Sequence, residues 1–331
     1  MESDRPPIPL DVPDQQLAQA LQIDGRAPFR RIADVLGVSD QTVARRYARL
    51  RTGGVLRVLG LTDPLRSGGS EWFVRVHCTP DAAGSISQSL ARREDTTWVN
   101  LTSGGTEISC LVRSDDDAAD HLLLARLPRT PRVTDVQAHA VLHVFFGQEL
   151  APISKTGPLT AAQVRALYPE DAPDGSELGR PLDDAERRLT ALLARDGRAQ
   201  LADLAAATGW SQSTVRRRMS ELRRTGVLYF DLELGLRIVN SGMRADLWLD
   251  VEPSRLAGAG AALAEHPQVS YAAATTGSMN LYACVSCGSA GEFYRYLTGD
   301  VSAVPGIRRS VTAPVLRTIK GPGPYWPSPL P

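Results

Sequence analysis

The chain has 331 residues, 43% of them hydrophobic and 22% charged, with 37 Lys and Arg against 37 Asp and Glu. That length points to two domains or more, and the composition excludes collagen, a wholly disordered chain and a disulfide-built mini-protein. No run approaches the roughly 20 apolar residues of a membrane helix, the first residues lack the apolar core of a secretory signal, and four cysteines suit a reducing cytosol, so a cytoplasmic protein with no membrane partner is expected.

Residues 1–13 hold Pro6, Pro7, Pro9 and Pro13 and read as a disordered arm. From Gly25 to Leu56 runs GRAPFRRIADVLGVSDQTVARRYARLRTGGVL, and from Gly197 to Leu228 runs GRAQLADLAAATGWSQSTVRRRMSELRRTGVL. The two match at a constant offset of 172 without a gap, so the chain repeats itself. In the first copy, residues 14–60, Leu17 and Leu21 lie four apart on a first helix, and Ile32 and Leu36 on a second that Gly37 ends. Ser39 caps a third helix whose core face is Val43, Tyr47 and Leu50. The second copy, residues 183–235, repeats the plan with Ser211 as cap and Val215, Met219 and Leu222 inward. Each copy is a helix-turn-helix module, winged or simple.

After each module comes a β-α-β-β-α-β order, over residues 70–147 and 244–320. Trp72, Val74 and Val76 alternate as a half-buried strand does, as do Leu247, Leu249 and Val251. Helical stretches follow at Ala82–Arg92 and Arg255–Glu265, a hairpin in each copy, then second helices at Ala118–Leu127 and Gly291–Thr298, and closing strands near Val133–Phe145 and Ile307–Ile319. The fold class is therefore α+β: two helix-turn-helix (winged-helix-like) modules alternating with two ferredoxin-like βαββαβ domains. Residues 148–182, rich in Pro, Gly and acids, read as a linker with room for a short helix at Thr160–Tyr168, and residues 321–331 as a flexible tail.

The chemistry lies on the outer face of the third helix of each module. Asp14–Arg57 holds eight Arg against four Asp, and Asp183–Phe230 nine Arg against six acids, so both modules are basic inside a neutral chain. Early-turn Gln, Ser and Thr reach base edges, and arginine forks onto guanine or pairs with phosphate. The residues expected on double-stranded DNA are Gln41, Thr42, Arg45, Arg46 and Arg49, and Ser213, Thr214, Arg216, Arg217 and Arg218. Arg46 and Arg218 have two readings, a phosphate contact or an ion pair within the module. Between the copies Asp40 stands against Gln212, Gln41 against Ser213, Ala44 against Arg216 and Arg49 against Glu221.

VSDQTVARRYARLRTGGVL from Val38 and WSQSTVRRRMSELRRTGVL from Trp210, with the closing PGIRRSVTAPVLRTIK, resemble the Lrp/AsnC (feast/famine) transcription regulators. A typical member has one such half, so this chain resembles a tandem fusion. The resemblance implies a sequence-specific regulator, a small-molecule effector such as an amino acid, and homo-oligomers whose ferredoxin-like domains pair through their sheets. Such pairing between the two copies would make one chain a pseudo-dimer. The implied effector turns are Gly104, Gly105 and Thr106 in one copy and Gly277, Ser278 and Asn280 in the other. The family's turn reads G-x-Y-D, and neither copy keeps the aromatic, so two pockets here would differ.

Other classes fare worse. A ligand-independent architectural DNA-binding protein is compatible with the altered turns. Fused proteins of similar build act as sirohaem decarboxylases, and that resemblance implies His and Arg on the hairpins. Thr96–Arg113 and Val269–Ser286 contain no His and only Arg113. His139 and His143, four apart on a strand, lie about 13 Å from each other and share no ion. Cys284 and Cys287 fall on opposite strand faces, without a second ligand pair for zinc. No catalytic constellation, metal site or cofactor is expected.

Overall fold

The computed structural model describes residues 10–114, 127, 130–147, 155, 157–173, 179–235 and 242–325; the helix expected at Ala118–Leu127 lies, but for Leu127, outside them. In chain order the elements are α1 (Val12–Ile23), α2 (Phe29–Leu36), α3 (Asp40–Thr52), β1 (Leu56–Thr62), β2 (Ser70–Cys78), α4 (Pro80–Ala91), β3 (Thr96–Thr102), β4 (Glu107–Ser114) and β5 (Val133–Phe146). There follow α5 (Ala161–Leu167), α6 (Asp184–Arg195), α7 (Leu201–Thr208), α8 (Gln212–Arg224), β6 (Leu228–Leu234), β7 (Met243–Val251), α9 (Leu256–Glu265), β8 (Val269–Thr275), β9 (Leu281–Cys287), α10 (Ala290–Tyr296) and β10 (Ile307–Lys320). The chain divides into two compact units, and each unit draws one part from each half of the repeat.

The first unit joins both helical modules. Leu17, Leu21, Ile32, Val43 and Leu50 share a buried core with their repeat counterparts Leu189, Leu193, Leu204, Val215 and Leu222. Neither module carries a wing of its own among the described residues. Each supplies a single strand, and β1 pairs antiparallel with β6. Leu59 lies opposite Asp231, which is its own counterpart at offset 172, so a local two-fold axis passes through that pair. The loop contacts obey the same axis. Arg26 donates to Gly197 O at 2.7 Å and Ala199 O at 3.2 Å, while Arg198 donates to Gly25 O at 2.7 Å and Ala27 O at 3.1 Å. Arg51 meets Asp196 at 2.7 Å, and Arg223 meets Asp24 at 3.4 Å. Gly25 and Gly197 are required where the copies touch: a Cβ at Gly25 would lie 2.8 Å from Phe230 Cβ, and one at Gly197 2.8 Å from the Leu59 carbonyl carbon.

Parts of three segments expected to be loose are packed. Helix α1 begins at Val12, inside the expected arm, because Asp11 caps it and Pro13 suits a first turn. The expected linker contains α5, closed by a capping box between Thr160 and Gln163. It docks on the first module: Arg31 donates to Ala166 O and Tyr168 O, and Leu159 and Leu167 are buried in the shared core. In the tail, Tyr325 packs on the core beneath α4, with its hydroxyl 3.4 Å from Gln88 Oε1.

The second unit is a closed eight-stranded barrel in the order β10-β3-β4-β2-β5-β8-β9-β7. Each copy contributes a ferredoxin-like four-stranded order, β3-β4-β2-β5 and β8-β9-β7-β10. The long closing strands join them. β5 pairs with β2 through Ala140 and then with β8 from Val141, and β10 pairs with β7 and then, from Val315, with β3. The expected pairing of the two ferredoxin-like domains thus occurs within one chain, and closure removes the sheet edges where the copies meet.

On the outer faces Val74, Val76, Ile108 and Cys110 pack beneath α4, and Leu247, Leu249, Leu281 and Ala283 fill the second core. The alternate positions face the other copy's sheet. Phe73 lies against Trp248 and Tyr282 at ring-centroid distances of 5.4 and 3.9 Å. Arg75 donates to Glu107 at 2.5 Å and stacks over Trp248. Asp246 accepts from Tyr282 Oη at 2.7 Å and from Ser109 Oγ at 2.8 Å, and burial lifts its carboxyl above the ordinary value despite those donors. Burial also raises Glu107, but Arg75 and Ser103 outweigh it and hold that carboxyl below its usual range.

Arg26→Ala removes two charge-assisted bonds to the opposite copy and should cost about 2–3 kcal/mol in urea unfolding, with Arg198→Ala similar; a loss under about 0.5 kcal/mol would show that the reciprocal contacts do not hold the copies together. Glu107 contributes stability fully above its unfolded value of 4.5 and loses it as pH falls through its lower folded value. Glu107→Gln should therefore be about 3 kcal/mol less stable at pH 7, and the gap from wild type should close on acidification, as read from unfolding midpoints between pH 7 and 3.

Candidate nucleic-acid interface

The turn in each module is set by backbone geometry. Gly37 ends α2 at φ +68° and Gly209 ends α7 at φ +75°, left-handed conformations that cost glycine nothing. One residue then separates each glycine from a serine cap. Ser39 Oγ accepts from Thr42 N at 3.2 Å, and Ser211 Oγ accepts from Thr214 N at 3.1 Å. These caps satisfy first-turn donors and fix where the third helices begin.

The expected DNA-facing residues divide by what they touch. Thr42 and Thr214 hydroxyls lie 2.9 Å from their capping serines, and Ser213 Oγ lies 2.8 Å from Ser211 Oγ, so these three line the cap. Gln41, Arg45, Gln212 and Arg216 are exposed. Arg45 and Arg216 have no hydrogen-bond or ion-pair partner among the described residues, which leaves both guanidinium groups open to solvent. Arg46 and Arg49 are engaged. Arg46 meets Asp11 at 2.9 Å and Asp14 at 2.8 Å, and Arg49 meets Asp14 at 2.5 Å. The hydrogen bonds Arg46 donates, first to Asp11 and then to Asp14, raise its pKa above the ordinary arginine value. In the second module Arg217 and Arg218 share Glu221, at 2.9 and 3.0 Å. Without DNA, Arg46 and Arg218 are thus both paired within their modules.

Sequence reasoning misses the acids behind these pairs. Asp11 falls in the expected arm, and Asp14 enters only as charge. The counterpart of Asp14 is Glu186, which is turned to a different partner, Arg180, at 2.6 Å.

The expected effector turns are hairpin tips, with Gly104, Thr106, Gly277 and Ser278 exposed and Gly105 and Asn280 half-buried. Gly104 and Gly105 adopt φ +70° and +87°, and Thr106 Oγ1 donates to Ser103 O at 2.8 Å. Gly277, at φ +101°, lies against His139, whose Nδ1 is 2.9 Å from Thr276 O. Ser278 is exposed, while the Asn280 amide is engaged with Val251, accepting from its N at 2.9 Å and donating to its O at 2.8 Å. A cavity of about 520 Å³ lies at the opposite end of the β8–β9 hairpin, lined by Gln268, Ser286, Glu292, Arg295 and Tyr296 among others. One of about 500 Å³ lies along α4, between Asp81 and Arg132. Neither is lined by the expected effector residues.

An AsnC-type helix-turn-helix domain matches residues 10–51 and again residues 182–223, and the Lrp/AsnC ligand binding domain matches residues 245–325. The HTH-type transcriptional regulator FL11 of Pyrococcus horikoshii is 26% identical over 141 residues, 42% of this chain and 93% of that protein. The leucine response regulatory protein LrpA of Mycobacterium tuberculosis is 26% identical, covering 42% of this chain and 96% of that one, with a TM-score of 0.38. The siroheme decarboxylase NirDL is similar in fold across 94% of both chains, with a TM-score of 0.62 and 14% identity.

Ser211→Ala should cost about 1 kcal/mol, as should Ser39→Ala, since each removes a first-turn acceptor. Thermal unfolding would show it, and an unchanged midpoint for both would remove the caps from the account of how these helices are positioned.

Proposed function

We propose that this chain, whose helix-turn-helix modules match the AsnC type and whose second ferredoxin-like domain matches the Lrp/AsnC ligand binding domain, is a tandem of two Lrp/AsnC units and acts as a sequence-specific DNA-binding transcriptional regulator tuned by a small-molecule effector. The observation that carries this reading is the pair of capped, arginine-bearing helices, α3 and α8, related by a two-fold axis within one chain. Helix-turn-helix dimers present two reading helices through such an axis, each to its own half-site in the major groove. Here the axis is internal, so one chain offers both. Arg45, Arg216 and Arg217 meet phosphates or guanine edges, with Gln41 and Gln212 near the helix starts to reach bases. The capping residues Thr42, Ser213 and Thr214 lie at the same edge. The effector acts on the barrel, at the hairpin turns Gly104–Thr106 and Gly277–Asn280. Chains associate further into homo-oligomers, and the protein works in the cytoplasm.

The likeness to NirDL in fold covers both halves of this chain, but the hairpins lack the His that a tetrapyrrole decarboxylase implies and hold a single Arg, Arg113. Their inward positions carry Ser109 and Tyr282, engaged with Asp246, and Arg113, which donates to Glu71 at 2.6 Å. We read the chain as a non-enzyme.

Affinity of the full chain for its operator should fall linearly with salt on log–log axes, and Arg45→Ala should lower the slope by about one unit. Fluorescence anisotropy across a salt titration measures both. Binding that ignores salt, and that survives replacement of Arg45, Arg216 and Arg217 together, would remove α3 and α8 as the DNA-reading elements.

A further inference from the structure

The two reading helices are symmetry mates in backbone but not in charge. On the first module every arginine of α3's outer face except Arg45 and Arg51 is held by the acids at the start of α1, with Asp14 taking both Arg46 and Arg49. Asp40, at the first position of α3, adds a carboxylate where a phosphate would approach; its Oδ1 accepts from its neighbour's amide, Gln41 N, at 2.7 Å. On the second module the equivalent of Asp14, Glu186, is held by Arg180 and leaves α8 alone. Three consecutive arginines, Arg216 to Arg218, then face a single carboxylate, Glu221. Around α3 three arginines, Arg45, Arg46 and Arg49, stand against three carboxylates, Asp11, Asp14 and Asp40, whereas around α8 Arg216, Arg217 and Arg218 stand against one, Glu221.

Resting on the proposed DNA-binding function, we propose that the two modules divide the work of recognition, so that the operator has two unlike halves, with α8 supplying most of the salt-dependent affinity and α3 acting chiefly as a reader of sequence. The chemistry of each half follows from the exposed first-turn residues. A carboxylate such as Asp40 is repelled by phosphate and accepts from the exocyclic amine of cytosine, whereas Gln212 pairs in a bidentate way with adenine and Arg216 with guanine. Ala44, the counterpart of Arg216, makes no polar contact. A homodimer is bound to a palindrome because its two reading helices are identical; this chain is not.

The test uses the full chain, diluted until sedimentation shows one chain per duplex, and selection from random duplex DNA. Wild type should recover sites whose halves differ. Arg216→Ala should weaken binding about tenfold and lower the salt slope by about one unit. Arg49→Gln should leave the slope unchanged, because Asp14 already holds that guanidinium. Asp40→Gln combined with Ala44→Arg should raise the slope by about one unit and drive selection toward symmetric sites; as a gain of binding, it is not mimicked by misfolding. Recovery of a palindrome by wild type at one chain per duplex would overturn the proposal, as would equal losses from Arg49→Gln and Arg216→Ala. If no duplex is preferred and all variants bind alike, it is the DNA-binding reading itself that fails.

Discussion

Two arginines hold the copies of this protein together, and much else depends on them. Arg26 and Arg198 each insert a partly buried guanidinium into the other copy's loop, and each donates to two backbone carbonyls there. Burial lowers the pKa of both below the ordinary arginine value, and the charge of Arg198 lowers Arg26 further. The carbonyl oxygens offset that loss of hydration. Arg198 also lies 4.4 Å from the Phe29 ring centroid, so the contact is both polar and aromatic. Because the bonds are reciprocal, they fix a two-fold relation. The β1–β6 ribbon extends it, with Leu59 opposite Asp231, and the orientation of α3 relative to α8 is its result.

The barrel achieves the same closure by different chemistry. Its interior is not a symmetric apolar seam. Phe73 on one copy corresponds to Asp246 on the other, and Arg75 to Trp248. Aromatic packing and ion pairs therefore meet across the seam. Arg244 donates to Thr318 Oγ1 at 2.7 Å, and Thr318 in turn donates to Asn100 Oδ1 at 2.8 Å, a relay that crosses from copy to copy. Breaking such a buried network by removing one member costs more than never having built it. The two copies have become complementary to each other rather than to themselves.

Much of this was legible in the sequence, and the gaps have physical causes. The constant offset exposes the repeat, and Ser39, Ser211, Gly37 and Gly209 announce the helix boundaries through backbone chemistry that tolerates few residues. The barrel interior was not legible. Alternation with period two looks the same whether the polar face meets water or another sheet, so Glu71, Glu107 and Asp246 give no sign of being buried. The ordered part of the linker is hidden by its flanking Pro and Gly; Leu159, Leu167 and Leu182 are apolar anchors scattered through a polar stretch, and all three are buried. The arginines of α3 are legible as an outer face, but their partners lie at the start of α1, where spacing along one helix says nothing.

A two-fold axis enclosed in a single polypeptide also changes how occupancy depends on expression. Subunits of a homodimer must first find each other, so at low abundance the active species grows as the square of the number of chains made. Here the tether keeps the two copies at an effective concentration on the order of millimolar, far above what free subunits reach in a cell. The binding unit is then complete in every molecule, and occupancy rises in direct proportion to chain number. It also means that a mutation alters one half of the binding unit and not both, so each reading helix is free to drift with its own half of the target.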